Sequence, residues 1–359
     1  MKKIVALILA TLMMASAAAG CASTSTASTP ATGTASAAAP AASAAPAASD
    51  ISVGVCIYKF DDTFMTGVRN AISAAATAAN TPVEIVDSTN SSSVQSDKID
   101  LFITKKVNSL EINPVDSAAA GAIITKAKKA NIPVVFFNRM PTTADMSSWD
   151  KLYYVGAKPE QSGIMQGKIL AAYWKAHPEA DTNKDGIMDY VMLTGEPGHP
   201  DAIARTKSSI DEIVSEGIKV NLIATDTGMW DRVKAQDKMQ SILAAKGAKV
   251  EAVLANNDDM ALGAISALKA AGYFTGTKYM PVVGVDATTP GLAALADGTM
   301  LGTVLNDAKN QGIATFNISK LLAEGKVPTT ENIGYTLTDN KYVWIDYKQI
   351  TKDNMGDAK

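Results

Sequence analysis

Residues 181–205 read D-T-N-K-D-G-I-M-D-Y-V-M-L-T-G-E-P-G-H-P-D-A-I-A-R. Asp181, Asn183 and Asp185 alternate oxygen-bearing side chains, Gly186 allows a sharp turn, and Asp189 adds another oxygen. That is the order of an EF-hand calcium loop at about positions 1, 3, 5, 6 and 9. The pattern then breaks, because Met192 stands where the closing Glu belongs. Residues 190–194 also read as a strand, not as the second helix of an EF-hand. Two readings stay open: no metal site, or a closing carboxylate supplied from elsewhere in the chain. Beyond the strand, His199, Asp201 and Arg205 form a polar cluster at the start of a helix.

Working outward, the same alternation of strand and helix recurs on both sides. Before the stretch, the pattern predicts strands at Ile51–Tyr58, Val83–Val86, Ser109–Ile112, Ile132–Phe137 and Tyr153–Val155. Helices are expected from Asp61 to about Ala79 and over Ser96–Lys106, Ser117–Ala130 and Glu160–Lys175, with a polar loop at Pro141–Asp150. After it, strands are expected at Val220–Ala224, Val250–Ala255, Val282–Val285 and Val304–Leu305. The intervening helices are Ala202–Glu216, Arg232–Ala245, Met260–Ala271, Pro290–Ala296 and Gln311–Ala323. Tyr335–Tyr347 reads as two extended pieces around a turn at Asp339-Asn340. Short apolar strands alternating with helices define an α/β fold with parallel sheets, here in two successive runs of domain size.

The bulk composition limits the function. A chain of 359 residues, 47% apolar, can build one large or two ordinary cores. A net charge of −3 argues against a nucleic-acid partner. Two cysteines, Cys21 and Cys56, allow no disulfide framework, and two histidines are too few for a histidine-built metal centre. Cys56 falls in the first strand and reads as an inert buried thiol. The N-terminus carries Lys2-Lys3, an apolar run from Ile4 to Met14, and Ala18-Ala19-Gly20-Cys21, which resembles a bacterial lipobox. Residues 1–20 are therefore expected to be a lipoprotein signal peptide, with Cys21 the lipid-bearing residue. Residues 22–49 contain only Ala, Ser, Thr, Pro and Gly, which suits an uncharged tether between a membrane surface and a folded domain.

In open parallel sheets, ligands sit outside the carboxyl ends of the strands. Those ends supply Asp62 and Phe64, then Asn138, then His199, Asp201 and Arg205, then Trp230, Asn257, Asp286 and Asn306. Carboxylates, carboxamides and a guanidinium suit a ligand dense in hydroxyls, and aromatic faces suit the C–H faces of a sugar ring. Any one of these Asp or Asn residues taken singly is more often a turn or N-cap residue. Their recurrence at one edge of both halves is what shifts the reading towards a site. No nucleophile motif and no Gly-rich phosphate loop is among them.

The motifs I-Y-K-F-D-D-T-F-M, V-V-F-F-N, G-E-P-G-H-P-D-A-I-A-R-T, A-N-N-D, G-V-D-A and G-T-V-L-N-D-A, in this order, resemble the bacterial galactose/glucose-binding proteins of ABC sugar uptake. The resemblance runs from about Ile51 to beyond Phe316. It implies a two-lobed periplasmic-binding-protein fold, each lobe a parallel sheet flanked by helices, joined by a three-stranded hinge. The first lobe would comprise residues 51–156 and 308–340, the second 157–307 and 341–359. It implies no catalytic activity. Phe64 and Trp230 would sandwich a hexose, D-galactose or D-glucose. Asp62, Asn138, His199, Asp201, Arg205, Asn257, Asp286 and Asn306 would bind its oxygens. It also closes the open question of the loop. A calcium ion would be held by Asp181, Asn183, Asp185, the Ile187 carbonyl, Asp189 and, from a distance, Glu251. The partners implied are the membrane subunits of an ABC permease and, as a further option, a chemoreceptor, with the protein a lipid-anchored, extracytoplasmic monomer.

Two other classes compete. A carbohydrate hydrolase could use Asp201 and Asp286 as its carboxyl pair, but it needs one of them protonated near neutral pH. Arg205, four residues after Asp201, should favour ionisation of that group. A sugar-responsive transcription regulator would need a basic helix-turn-helix at the N-terminus, where this chain has a signal and an uncharged tether.

Overall fold

The computed structural model describes residues 51–358. The signal peptide, Cys21 and the tether expected from sequence lie outside the described residues.

The first run builds β1 (Val53–Ile57), α1 (Thr63–Ala78), β2 (Val83–Asp87), α2 (Ser92–Thr104), β3 (Ser109–Ile112), α3 (Ala120–Ala130), β4 (Val134–Phe137), α4 (Thr143–Ser147) and β5 (Leu152–Gly156). The second builds α5 (Pro159–Ala176), β6 (Ile187–Thr194), α6 (Pro200–Ser215), β7 (Lys219–Thr227), α7 (Arg232–Lys246), β8 (Ala252–Ala255), α8 (Asp258–Ala270), β9 (Val282–Val283), α9 (Thr289–Ala296) and β10 (Thr303–Leu305). The chain closes with α10 (Ala308–Ala323), α11 (Thr330–Ile333), β11 (Leu337–Thr338), β12 (Tyr342–Trp344) and β13 (Lys348–Ile350).

These elements form two lobes. The first is a seven-stranded sheet in the order β11-β12-β5-β4-β3-β1-β2, parallel except for β11. The second is a parallel sheet in the order β7-β6-β8-β9. Bridges Val283–Gly302 and Asp286–Leu305 carry β10 alongside β9, and β13 pairs antiparallel with β10. Central strands such as β1, β4 and β8 are buried along their whole length, because helices cover both faces. Each lobe has a core on either side of its sheet, for example Val55, Val68 and Ile318 against Phe102, Leu110 and Phe136 in the first. Cys56 is fully buried in β1, and burial pushes its thiol up to about 12. The chain crosses between lobes three times, after β5, after β10 and after β12.

The structure moves several boundaries. Tyr342–Trp344, assigned from sequence to the second lobe, is hydrogen-bonded to β5 in the first sheet. Val343 is buried there, and the rings of Tyr342 and Trp344 pack on Tyr154 at 6.5 and 5.5 Å. The third crossing therefore follows Trp344 rather than Asn340. Helix α2 starts four residues earlier than expected, because Ser91 caps it by accepting from the Val94 amide. The expected loop at 141–150 contains α4, capped by Thr142. Strand β6 begins at Ile187, so Asp189 lies inside a strand and is buried.

Candidate functional site

All ten residues collected from strand ends line one cavity between the lobes. It encloses about 370 Å³ of non-atom space, some of it continuous with solvent. The first lobe contributes Asp62, Phe64 and Asn138. The second contributes His199, Asp201, Arg205, Trp230, Asn257, Asp286 and Asn306.

Capping and lining turn out to be compatible roles. Asp62 caps α1 with Oδ1, which accepts from the Met65 amide at 2.7 Å, while Oδ2 accepts from the Tyr58 hydroxyl at 2.5 Å. Asn257 caps α8 through Oδ1, leaving its amide nitrogen for the Trp230 carbonyl at 3.5 Å. His199 caps α6 unusually: its Nδ1 accepts from the Asp201 amide at 3.1 Å. Burial, and then Arg139 and Arg205 nearby, lower its pKa to about 3. The ring is thus neutral near pH 7, and with Nδ1 an acceptor its proton sits on Nε2, which makes it a donor.

Arg205 organises the second-lobe face. It is buried and donates to the Asn256 carbonyl at 2.8 Å, to Asp201 at 3.3 Å and to the Tyr347 hydroxyl at 3.0 Å. Its Nε, like the Trp230 Nε1, is buried without a hydrogen-bond partner among the described residues. Both residues line the cavity, and a buried donor without a partner is uncommon in folded proteins. On the acceptor side, Asn306 donates to Asp286 at 3.2 Å and accepts from Gln311 at 2.6 Å.

Burial raises the pKa of Asp62, Asp201 and Asp286. At Asp201 the Arg205 guanidinium lowers the pKa, as expected from their spacing, but desolvation of the largely buried carboxyl is the larger effect and the net shift is upward.

The backbone is unusual where the site is built. Asn138, Trp230 and Asp286 all have left-handed φ, at 61°, 61° and 117°. Non-glycine residues hold such angles only where the surroundings over-determine them. At Trp230 the ring lies against Gly195, where a Cβ would come within 2.1 Å of it. At Asp286 the brace is Asp258, buried and accepting from the Thr303 hydroxyl at 2.6 Å and from the Thr288 amide and hydroxyl at 2.8 and 3.1 Å.

Sequence reasoning missed three lining residues, Tyr58, Met65 and Arg139. Arg139 directly follows Asn138, so the strand-end rule could have found it. Tyr58 ends an apolar run and looks like core.

In the loop after α5 the expected ligand residues are engaged in hydrogen bonds. Asp181 accepts from the amides of Asp185 and Gly186 at 3.2 and 2.8 Å, and Asn183 and Asp185 accept from the amides of Asp185 and Ile187. Glu251 reaches in, accepting from Thr182 at 2.7 Å and from the Asp189 amide at 3.1 Å. Gly186 takes φ 76°, as the turn requires. Among the described residues, no three His, Cys, Asp or Glu side chains form a preassembled metal cluster. The donor set is nevertheless all oxygen and carries four carboxylates, which suits a hard cation.

Two lobes joined by three crossings, with a polar cavity between them, define a solute-binding protein that traps a small molecule between closing domains. Residues 53–327 match the periplasmic binding protein domain family, and the chain belongs to that family. It is 45% identical over 312 residues to the D-galactose/methyl-galactoside binding periplasmic protein MglB of Haemophilus influenzae, covering 86% of this chain and 92% of that one. It is 28% identical over 303 residues to the xylitol-binding protein of Mycolicibacterium smegmatis, covering 84% and 78%. Among solved structures, an ABC transporter solute-binding protein of Bacillus halodurans with bound myo-inositol superposes with a TM-score of 0.72 at 27% identity, covering 87% and 98%. This chain is accordingly a sugar-binding component of ABC transport and not an enzyme.

Proposed function

We propose that this protein captures D-galactose or D-glucose between its two lobes and delivers it to the membrane subunits of an ABC permease. The observation that carries the reading is the cavity in which Phe64 and Trp230 come from opposite lobes beside ten polar side chains. Hydroxyl groups both donate and accept, so they can meet the buried carboxyls and the orphan donors of Arg205 and Trp230 together. The similarity to a galactose-binding relative over nearly its full length favours a hexose over a pentose. Sugar touching both lobes stabilises the closed form, which is the form a permease would recognise.

The test is calorimetric titration with glucose, galactose, xylose and ribose. Micromolar or tighter binding of a hexose is expected, with a change in tryptophan fluorescence. Unchanged heat, fluorescence and melting temperature with millimolar glucose and galactose would overturn the reading.

Three further features belong to the same proposal. Calcium would be held by Asp181, Asn183, Asp185, the Ile187 carbonyl, Asp189 and Glu251, supported by the oxygen-only donor set. It would supply a local positive charge that relieves repulsion among the carboxylates. Cys21 would carry a lipid anchor, supported by the A-A-G-C sequence after a signal-like segment. A chemoreceptor is a second partner that could read the same closed form.

A further inference from the structure

We propose that Arg139 is a positioning residue that bars the mouth of the cavity: it pairs with Glu196 across the lobes and orients Asp62 through Tyr58. The inference rests on the receptor reading above.

Arg139 belongs to the first lobe, directly after β4, and Glu196 to the second, after β6. Arg139 Nη1 lies 2.9 Å from the Glu196 carboxylate, and the two side chains are only 4% and 18% exposed. The same nitrogen donates to the Val115 carbonyl at 2.7 Å, which ties the guanidinium to its own lobe. Glu196 is fixed on the other side by a tight turn, in which the His199 amide donates to the Glu196 carbonyl at 3.1 Å. Both ends of the pair are therefore anchored to rigid elements.

Its position gives it a role. Arg139 and His199 line both the ligand cavity and an adjoining cleft, which Glu196, Pro197, Met140 and Met229 line as well. The ion pair stands in the wall between the two spaces, so a ligand leaving by that side has to part it. The guanidinium also lies 3.9 Å over the Tyr58 ring, whose hydroxyl donates to Asp62. Burial and the neighbouring Asp62 carboxyl push the Tyr58 phenol up, so it remains a donor. Closure thus connects Glu196 to Asp62 through Arg139 and Tyr58.

A contact that exists only when the lobes meet shifts the open–closed equilibrium by its full differential free energy. Desolvated interface ion pairs act mainly on dissociation, whereas exposed ones contribute little. The molecule carries its own control, because a second inter-lobe pair, Lys59–Asp231, is longer at 3.8 Å and about a quarter exposed on each side.

The experiment is stopped-flow binding of D-galactose by the full chain, followed by tryptophan fluorescence. Glu196→Gln, a residue outside the cavity lining, is expected to raise the dissociation rate about tenfold with the association rate within twofold. Lys59→Gln should change neither rate by more than twofold. In an Arg139→Gln background, Glu196→Gln should add less than twofold, since the partner is already gone. Arg139→Lys, which keeps the charge but loses the planar fork, should fall between. A dissociation rate for Glu196→Gln within twofold of wild type, or an undiminished effect in the Arg139→Gln background, overturns the bar while leaving the receptor reading intact. Failure of the wild type to bind any hexose overturns the receptor reading and the bar with it.

Discussion

The two lobes face the cavity in different ways. The second lobe supplies seven of its residues, and their polar groups are already tied together: Arg205 to Asp201, Asn256 and Tyr347, and Asp286 to Asn306. The first lobe supplies six, Tyr58, Asp62, Phe64, Met65, Asn138 and Arg139, with a relay from Arg139 through Tyr58 to Asp62 and a bond from Asn113 to Asn138 at 3.2 Å, but no buried cation ties them together by hydrogen bonds as Arg205 does. Groups fixed before binding cost less to order when the ligand arrives. The second lobe is therefore a prearranged platform and the first a lid. The same chemistry at a strand end should matter more on the platform than on the lid.

The largest effect tests this directly. Arg205→Met removes a buried cation that serves three protein partners and leaves Asp201 without its ion-pair partner. Truncating one partner of a buried, hydrogen-bonded charge pair costs about 2–5 kcal/mol, so galactose affinity should drop by about 30- to several-thousandfold. Asp62→Ala, on the lid, loses hydrogen bonds worth about 1–2 kcal/mol, a drop of about 5- to 30-fold. Calorimetry on both variants decides it. Equal losses would mean that the lobes contribute alike.

Next in size are the aromatic walls. In Gly195→Ala the new methyl would press into the Trp230 ring, which must swing away from its left-handed perch. Overpacking of that kind costs about 1–3 kcal/mol, and roughly tenfold weaker binding with a smaller fluorescence change is expected. Phe64 is only 8% exposed and packs into the first-lobe core as well as the cavity, so Phe64→Leu should lower the melting temperature while weakening binding less. Fluorescence titration alongside thermal melts separates the two walls. A Gly195→Ala protein that binds like wild type would show that the ring position is not limiting.

The parts of this arrangement that were legible in the sequence were those with a local chemical cause. Polar residues after apolar strands are visible because a parallel sheet puts every strand end on one edge. Asp62, His199 and Asn257 stand out further because each also caps the helix that follows. What stayed hidden depends on the fold as a whole. Residue type alone does not signal that Asn138, Trp230 and Asp286 would hold left-handed backbone. Tyr342–Trp344 is a three-residue strand between Lys341 and Asp346, too short for a period, and its place is set by Tyr154 and Val155 across the sheet. Tyr58 looked like core because its ring is buried, and only its hydroxyl reaches Asp62. At Asp201 the spacing shows the favourable Arg205 partner but not the burial that outweighs it.

Two buried groups, one in each lobe, should respond to pH in opposite senses. Glu111, in β3, is fully buried. One oxygen accepts from Ser319 on α10, the other has no partner among the described residues, and burial raises its pKa to about 8. The folded state therefore holds a proton that the unfolded chain releases near 4.5, and stability falls as pH rises from about 4.5 to about 8. His199, in the second lobe, is shifted the other way, from 6.5 to about 3. There the unfolded chain takes up the proton first, and stability falls as pH drops from about 6.5 towards 3. Glu111→Gln should flatten the loss on the first side, and His199→Asn, which can still cap α6, the loss on the second. Each effect is about 1–3 kcal/mol at most once relaxation of the buried site is allowed for. Melting temperature against pH for the three proteins measures both. A Glu111→Gln curve parallel to wild type between pH 5 and 8 would mean that Glu111 is already ionised in the folded chain.

The smallest effect on sugar binding should come from the loop after α5, and it is the sharpest check on the platform idea. The loop and the cavity lie at opposite ends of β6, so the strand links them without shared ligands. If calcium occupies the loop, it stabilises the folded second lobe by mass action, by about 2.7 kcal/mol at a concentration about a hundred times its Kd. Chelator should therefore lower the melting temperature by several degrees and leave galactose affinity within about twofold. Glu251→Gln removes a carboxylate that also accepts from Thr182 and the Asp189 amide, so its melting temperature should fall and its response to chelator should shrink. A chelator response in Glu251→Gln equal to wild type would remove Glu251 from the ligand set. A tenfold loss of galactose affinity on chelation would instead mean that the platform is held in shape by the ion, and that its hydrogen bonds alone do not preorganise it.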